Sequence, residues 1–145
     1  MKKSILIVLI CLLSFLLVSC TVPYSFMHGE PDIDTIQIEI VNLETAMGYH
    51  EGSPYNEEDI SVIKVIESHR NKAFLSDFKK VKSYQPNYGS RIESILGVAI
   101  RITYANGDVE LITQYGTATV TNGKIWNHTT TFDKDGFSEL IDKYS

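Results

Sequence analysis

Among the groups able to do covalent chemistry, the chain of 145 residues has two cysteines, Cys11 and Cys20, and four histidines, His28, His50, His69 and His128. A thiolate attacks and an imidazole moves protons near neutral pH, but each needs a partner held beside it. No Gly-x-Ser-x-Gly, Cys/His pair or His-Glu-x-x-His occurs, and His50-Glu51 lacks the second histidine that zinc would need. His50, His69 and His128 fall on a loop, a turn and a strand, so they are not expected to share a metal. His28, Glu30, Asp32 and Asp34 are close in sequence, yet the stretch has no periodicity to fix their geometry and reads as solvated linker. The acids Glu57, Glu58 and Asp59, and Asp133 with Asp135, are immediate neighbours, whereas acid–base catalysis needs two carboxyls facing across a cleft. Acids at helix starts offset the macrodipole instead. No catalytic residue, no metal site and no cofactor is expected, and the chain does not read as an enzyme.

Cys20 has a more specific setting. Met1-Lys2-Lys3 opens the chain, residues 5–18 are apolar apart from Ser14, and Ser19-Cys20 follows. A basic start, an apolar middle and a small-residue exit are the parts of a secretion signal. The apolar stretch is fourteen residues long, short of the roughly 20 that cross a bilayer. Leu17-Val18-Ser19-Cys20 resembles the lipobox of bacterial lipoproteins, which carry a type II signal peptide. The resemblance implies that a diacylglyceryl group is joined to the Cys20 thiol and that the leader, residues 1–19, is cut off before it. It also implies that the new amine can be acylated. Each acyl chain buries methylenes at about 0.8 kcal/mol apiece, and two or three chains hold a protein stably. Cell-membrane localisation on the extracytoplasmic face, with membrane lipid as partner through Cys20, is the expectation. Beyond the leader, Asn106-Gly107-Asp108 and the terminal Phe137-x-x-Leu140-Ile141 resemble small uncharacterised lipoproteins of Gram-positive bacteria, which implies no activity.

Losing residues 1–19 leaves 126 of 145, enough for one domain but not two. Cys11 departs with the leader and Cys20 is spent on lipid, so the folded part has no thiol for disulfides, zinc or nucleophilic attack. Removing Lys2 and Lys3 takes the net charge from −5 to −7. Nucleic acid and anionic headgroups both select basic surfaces, so nucleic acid is excluded as a partner and lipid must do the anchoring.

Of the eight tyrosines, Tyr24 lies in the segment after Cys20, and Tyr49, Tyr55, Tyr84 and Tyr88 lie in two long connections. Tyr104, Tyr115 and Tyr144 sit at expected core positions. Tyrosine offers rigid amphipathic contact area at low entropic cost. Should the two connections meet at one sheet edge, Tyr49, Tyr55, Tyr84 and Tyr88 form a binding surface; the plainer alternative is that they pin the loops to the body.

The elements that would position these groups follow from periodicity. Residues 20–31 contain Pro23, Gly29 and Pro31 and read as the lipidated cysteine and a flexible tether; residues 32–145 form the domain. Ile36, Ile38 and Ile40 alternate with Thr35, Gln37 and Glu39 in a first strand over 35–43. Residues 44–59 form a long connection, and the β-branched density of 60–67 favours a strand over a helix. Asn71 is expected to cap a helix over 72–82 with Phe74, Leu75, Phe78 and Val81 on one stripe. Two Asn-Gly pairs, 106–107 and 122–123, predict type I′ hairpin turns. Across the first, Tyr104 should meet Val109, Ile102 Leu111, Ile100 Thr113 and Val98 Tyr115; across the second, Val120 should meet Ile125 and Thr119 Trp126. An unbroken strand puts Trp126 and His128 on the face of Tyr115, and a bulge at Gly116 would reverse this. Asp133 or Asp135 should cap a last helix whose Phe137, Leu140, Ile141 and Tyr144 recur at i, i+3, i+4 and i+7. The order strand, strand, helix, three-strand meander, helix is α+β: an antiparallel sheet of about five strands, helices on one face, the other face left to solvent.

The resulting expectation is a membrane-anchored, extracytoplasmic, non-catalytic binding or accessory domain whose partner is an extracellular protein or a cell-wall ligand. The alternatives are an inhibitor or immunity protein against a secreted toxin or hydrolase, and a small hydrolase working through His50 or His128.

Overall fold

The isoleucine alternation becomes β1, Gln37–Met47, around which the sheet is built in a computed structural model that describes residues 21–48, 51–85 and 94–145. Cys20 and the leader, and with them Tyr49, His50 and Tyr88, lie outside the described residues. The remaining strands are β2 (Ser53–Pro54), β3 (Ile60–Ile66), β4 (Ser83–Tyr84), β5 (Ile95–Thr103), β6 (Val109–Thr113), β7 (Gly116–Thr121), β8 (Lys124–His128) and β9 (Thr131–Phe132). The helices are α1, Asn71–Phe78, and α2, Lys134–Tyr144. The architecture is α+β, with a seven-stranded antiparallel sheet in the order β2-β8-β7-β6-β5-β1-β3 and a small sheet of β4 and β9.

The sheet has more strands than the expected five for local reasons. The stretch 109–121 is two strands, not one: β6 turns at Gln114-Tyr115 into β7, with Thr113 opposite Gly116. The Thr113 hydroxyl closes this turn, donating to the Gly116 carbonyl at 2.8 Å and accepting from its amide at 3.1 Å. Gln114-Tyr115 carries none of the usual turn chemistry, and Tyr115, expected in the core, is 70% exposed at its tip. The second Asn-Gly pair forms the expected turn, with Asn122 at φ 53° and Gly123 at φ 70°, and Val120 opposite Ile125.

The first Asn-Gly pair does not. The Gly107 amide donates to the Tyr104 carbonyl and the Tyr104 amide to the Asp108 carbonyl, both at 2.9 Å, and of Asn106 and Gly107 only the glycine has positive φ. This is a three-residue loop, a type I turn closed by a left-handed glycine. Its extra residue moves the expected register by one: Thr103 meets Val109, Ile102 meets Glu110 and Ile100 meets Ile112. Because side chains alternate, that slip turns Glu110 and Ile112 to the face of Ile100 and Ile102, and Val109 and Leu111 to the other.

Both helices pack on one face. Phe74, Leu75 and Phe78 of α1 and Phe137, Leu140 and Tyr144 of α2 bury against Ile38, Ile40, Ile100, Ile102 and Ile112. Asp133 caps α2 as expected, accepting from the Gly136 amide at 3.0 Å. Asn71, expected to cap α1, is instead inside its first turn and buried, and its Nδ2 donates to the carbonyls of Ile33 and Ile36 at 3.0 and 3.2 Å. The helix is also shorter than 72–82, because the chain turns through Val81 to reach β4.

The second face is not left to solvent. Val41, Leu43, Ala99, Leu111, Ala118, Val120 and Ile125 form a second core there, with Tyr55 and Ile60 packed on it. The cover is the connection after β1, which pairs β2 with β8 at one edge and delivers β3 to the other. Five residues separate Pro54 from Ile60, and the six steps between them reach about 20 Å at most, whereas six strand spacings of about 4.8 Å would hold the edges about 29 Å apart in a flat sheet. The sheet therefore curls around the second core. Arg101 pins the cover, pairing with the buried Glu39 at 2.6 Å and with Glu57 at 2.6 Å.

Residues 21–31, expected as a tether, lie packed on the helix face. Phe26 is buried, and Tyr24 meets Phe26 and Phe78 edge-on at 5.1 and 5.5 Å. Among the described residues, no helix is long and apolar enough to cross a membrane.

Candidate ligand-binding cleft

Beyond the reach of α1 and α2, residues 24–27 and Gln85 are what covers the helix face of β6, β7 and β8 among the described residues, leaving a cleft of about 640 Å3. Its floor is a product of the corrected register. Glu110 of β6, Thr117 and Thr119 of β7, and Trp126 and His128 of β8 share this face, because Glu110 pairs with Thr119, Thr119 with Trp126, and Thr117 with His128. Tyr24, Ser25, Phe26, Met27 and Gln85 form the opposite wall, with Thr129 and Thr130 at the end of β8.

Glu110 is 1% exposed. A carboxyl so placed must be satisfied by hydrogen bonds or its desolvation is prohibitive. The Tyr24 hydroxyl donates to its Oε1, the Tyr104 hydroxyl to its Oε2 at 2.6 Å, and the Met27 amide to Oε2 at 3.3 Å. Burial, reinforced by the charge of Glu110, pushes both tyrosine hydroxyls far above their usual range. Both tyrosines therefore stay neutral donors, and the carboxyl fastens the roof to the floor. Nearer solvent, His128 Nε2 lies 3.0 Å from Thr119 Oγ1, and Trp126 is 42% exposed beside Thr119. The described lining offers hydroxyls, amides, one imidazole and one carboxyl, and no lysine or arginine.

Of the tyrosines singled out in the sequence, the two that are described, Tyr55 and Tyr84, lie on different parts of the fold. Tyr55 packs on the second core, where burial pushes its hydroxyl up to about 12, while Tyr84 lies in β4 paired with β9, on the helix side. Tyr49 and Tyr88 lie outside the described residues. The acids and the one histidine of the first segment also separate. His28 meets Asp108 at 2.9 Å, Glu30 pairs with Lys79, and Asp32 accepts from the Asp34 amide at 3.2 Å. Among the described residues no group of three or more His, Cys, Asp or Glu could hold a metal ion. The residue that sequence reading missed is Glu110, which the expected register puts with Thr103 on the face opposite Ile100 and Ile102. The available signal was its setting in Val109-Glu110-Leu111-Ile112, since a lone acid within an otherwise apolar strand is the kind of group that burial must have partnered. Compared with protein-family models, with curated protein sequences and with solved structures, the chain matches none of them.

Proposed function

We propose that the protein is a membrane-anchored, extracytoplasmic lipoprotein whose domain binds, without catalysis, a small neutral hydroxyl-rich ligand such as a sugar unit of the cell wall. The observation that carries the binding reading is the cleft over Thr117, Thr119 and His128, polar but free of cationic side chains along its described lining, with the exposed ring of Trp126 beside it. Hydroxyls and amides exchange hydrogen bonds with a polyol, and an indole gives its apolar faces a stacking surface. A phosphate or carboxylate ligand would want lysine or arginine there. The address is supported by Leu17-Val18-Ser19-Cys20 after an apolar leader.

Trp126, the only tryptophan of the chain, does not line the cleft but pairs across the sheet with Thr119, which does, so its fluorescence serves as a neighbouring probe. Titration with soluble N-acetylglucosamine oligomers should give a saturable change that Thr119→Val or His128→Ala weakens at least severalfold while circular dichroism stays unchanged. A response to anionic sugars alone, or none to neutral ones, would sink the ligand class. For the address, Cys20→Ala should move the protein from the detergent phase to the aqueous phase.

A second reading, an inhibitor of a secreted protein, is favoured by the edge strand β3, where Val62, Ile63 and Val65 are 48, 49 and 49% exposed. An unpaired apolar edge suits strand addition by a partner. Ile63→Pro should then abolish capture of that partner and leave the saccharide response intact.

A further inference from the structure

We infer that the surface around Thr21, carrying Lys79, Lys80 and Lys82, is the face the domain turns to the bilayer, where it sits against anionic phospholipid headgroups. This rests on the reading of Cys20 as the lipidated residue. The argument begins with how the first described residues are held. Thr21 bridges to Tyr84, the Val22 amide donates to the Ser83 carbonyl at 3.3 Å, and the Ser83 hydroxyl donates to the Val22 carbonyl. Consecutive Cα atoms are about 3.8 Å apart, so Cys20 is bound to a residue that is itself bound to the body. A lipid on that sulfur has no spacer behind it, and the domain cannot swing away from the membrane as it would on a tether.

What surrounds the exit is basic. Thr21, Val22 and Pro23 line a recess of about 420 Å3 together with Lys79, Lys80 and Lys82 and with Glu30. The lysines come from the end of α1 and the turn after it. The Lys80 side chain is 73% exposed and reaches Asp77 at 2.8 Å, Lys79 pairs with Glu30, and Lys82 makes no ion pair among the described residues. In the recess itself three lysines face one acid, Glu30, while Asp77, shared with Lys143 of α2 at 2.7 Å, and Glu139 lie on the far side of Lys80. In a chain of net charge −5 this local excess is set against the general sign. Long lysine stems can lie along the apolar boundary and extend their ammonium groups to phosphates. Val22, 39% exposed beside the anchor, adds an apolar contact at the same level. The acidic remainder of the molecule would be repelled by an anionic leaflet, which favours the same orientation.

The test uses the mature lipidated protein in phosphatidylcholine vesicles with and without phosphatidylglycerol. Once Cys20 is a thioether the mature chain has no other thiol, so an introduced cysteine labels cleanly. Fluorophores at Pro23→Cys and at Lys124→Cys, the latter at the far end of β8 from β9, are each exposed to lipids with a quencher on the headgroup. Quenching at Pro23→Cys should exceed that at Lys124→Cys severalfold in anionic vesicles. The excess should fall when Lys79, Lys80 and Lys82 are all changed to Gln, or when phosphatidylglycerol is left out. Equal quenching at the two sites, or an excess indifferent to both changes, overturns the inference. Mass spectrometry of the same preparation separates the two readings, because a chain without lipid on Cys20 defeats the anchor itself, whereas a lipidated chain with no preferred face defeats only the orientation.

Discussion

At the residue scale the decisive group is Glu110. Its carboxyl takes three donors, two from the roof and one from Tyr104 just after β5, so removing any of them exposes a mismatch that water cannot easily repair. Tyr104→Phe should cost about 1.5–3 kcal/mol in urea unfolding, the range for a hydrogen bond to a charged group. Glu110→Ala should cost more, because it strands two buried hydroxyls at about 1–3 kcal/mol each. The same tyrosines set an alkaline limit. Their hydroxyls are raised on folding, Tyr24 and Tyr104 by burial and then by Glu110, Tyr55 to about 12 by burial. A group raised in the folded state lends stability that is complete below its unfolded value, near 10, and that is lost as pH climbs toward the folded one. Absorbance titration should thus show these three hydroxyls protonated at about pH 11, with unfolding and tyrosinate appearing together above that. Early tyrosinate formation without unfolding would contradict the buried arrangement.

At the element scale, the two helices are joined through Asp77. Its Oδ2 accepts from Lys143 at 2.7 Å and from the Tyr144 hydroxyl at 2.8 Å, and its Oδ1 accepts from Lys80 at 2.8 Å. The hydrogen bonds from Lys143, then Lys80 and Tyr144, hold the carboxyl well below its usual range. A depressed acid lends stability that is present above its unfolded value, near 4, and lost as pH falls through the folded one. Solvent screens these pairs, so Asp77→Asn should cost no more than about 1 kcal/mol at neutral pH. The difference from wild type, followed by thermal unfolding, should shrink on acidification, and a penalty that grew in acid would argue against the bridge.

For the molecule as a whole, the consequence of the curled sheet is two cores rather than one. Leu111 is fully buried in the second core, on the face that a simple two-layer reading leaves wet. Leu111→Ala should cost about 2–5 kcal/mol, as a core leucine does, with an unchanged denaturant slope. A change under about 0.5 kcal/mol, the range of an exposed site, would mean the face is open. The charge distribution is likewise a property of the whole: the net value of −5 conceals a basic rim where the chain leaves for Cys20.

What the sequence determined by itself is what short-range chemistry decides. The leader and the lipobox-like Leu17-Val18-Ser19-Cys20 are read from linear motifs alone and lie outside the described residues, so they stand as the proposal made above. The first strand, the strand at 60–66, the Asn122-Gly123 turn, the Asp133 cap and the stripes of both helices are legible because each is set by neighbours within about four residues along the chain. The tertiary structure decided the rest. β6 is buried on both faces, so a slip of one residue left no apolar side chain visibly misplaced, and the pattern could not distinguish the two registers. The Gln114-Tyr115 turn is stabilised by Thr113 and by pairing along β6 and β7 rather than by its own residues. Glu110, and with it the cleft, depended on that register and on donors 86 and 83 residues away in Tyr24 and Met27. No local periodicity records contacts at that separation, because they exist only once the sheet has curled and the first segment has folded over it.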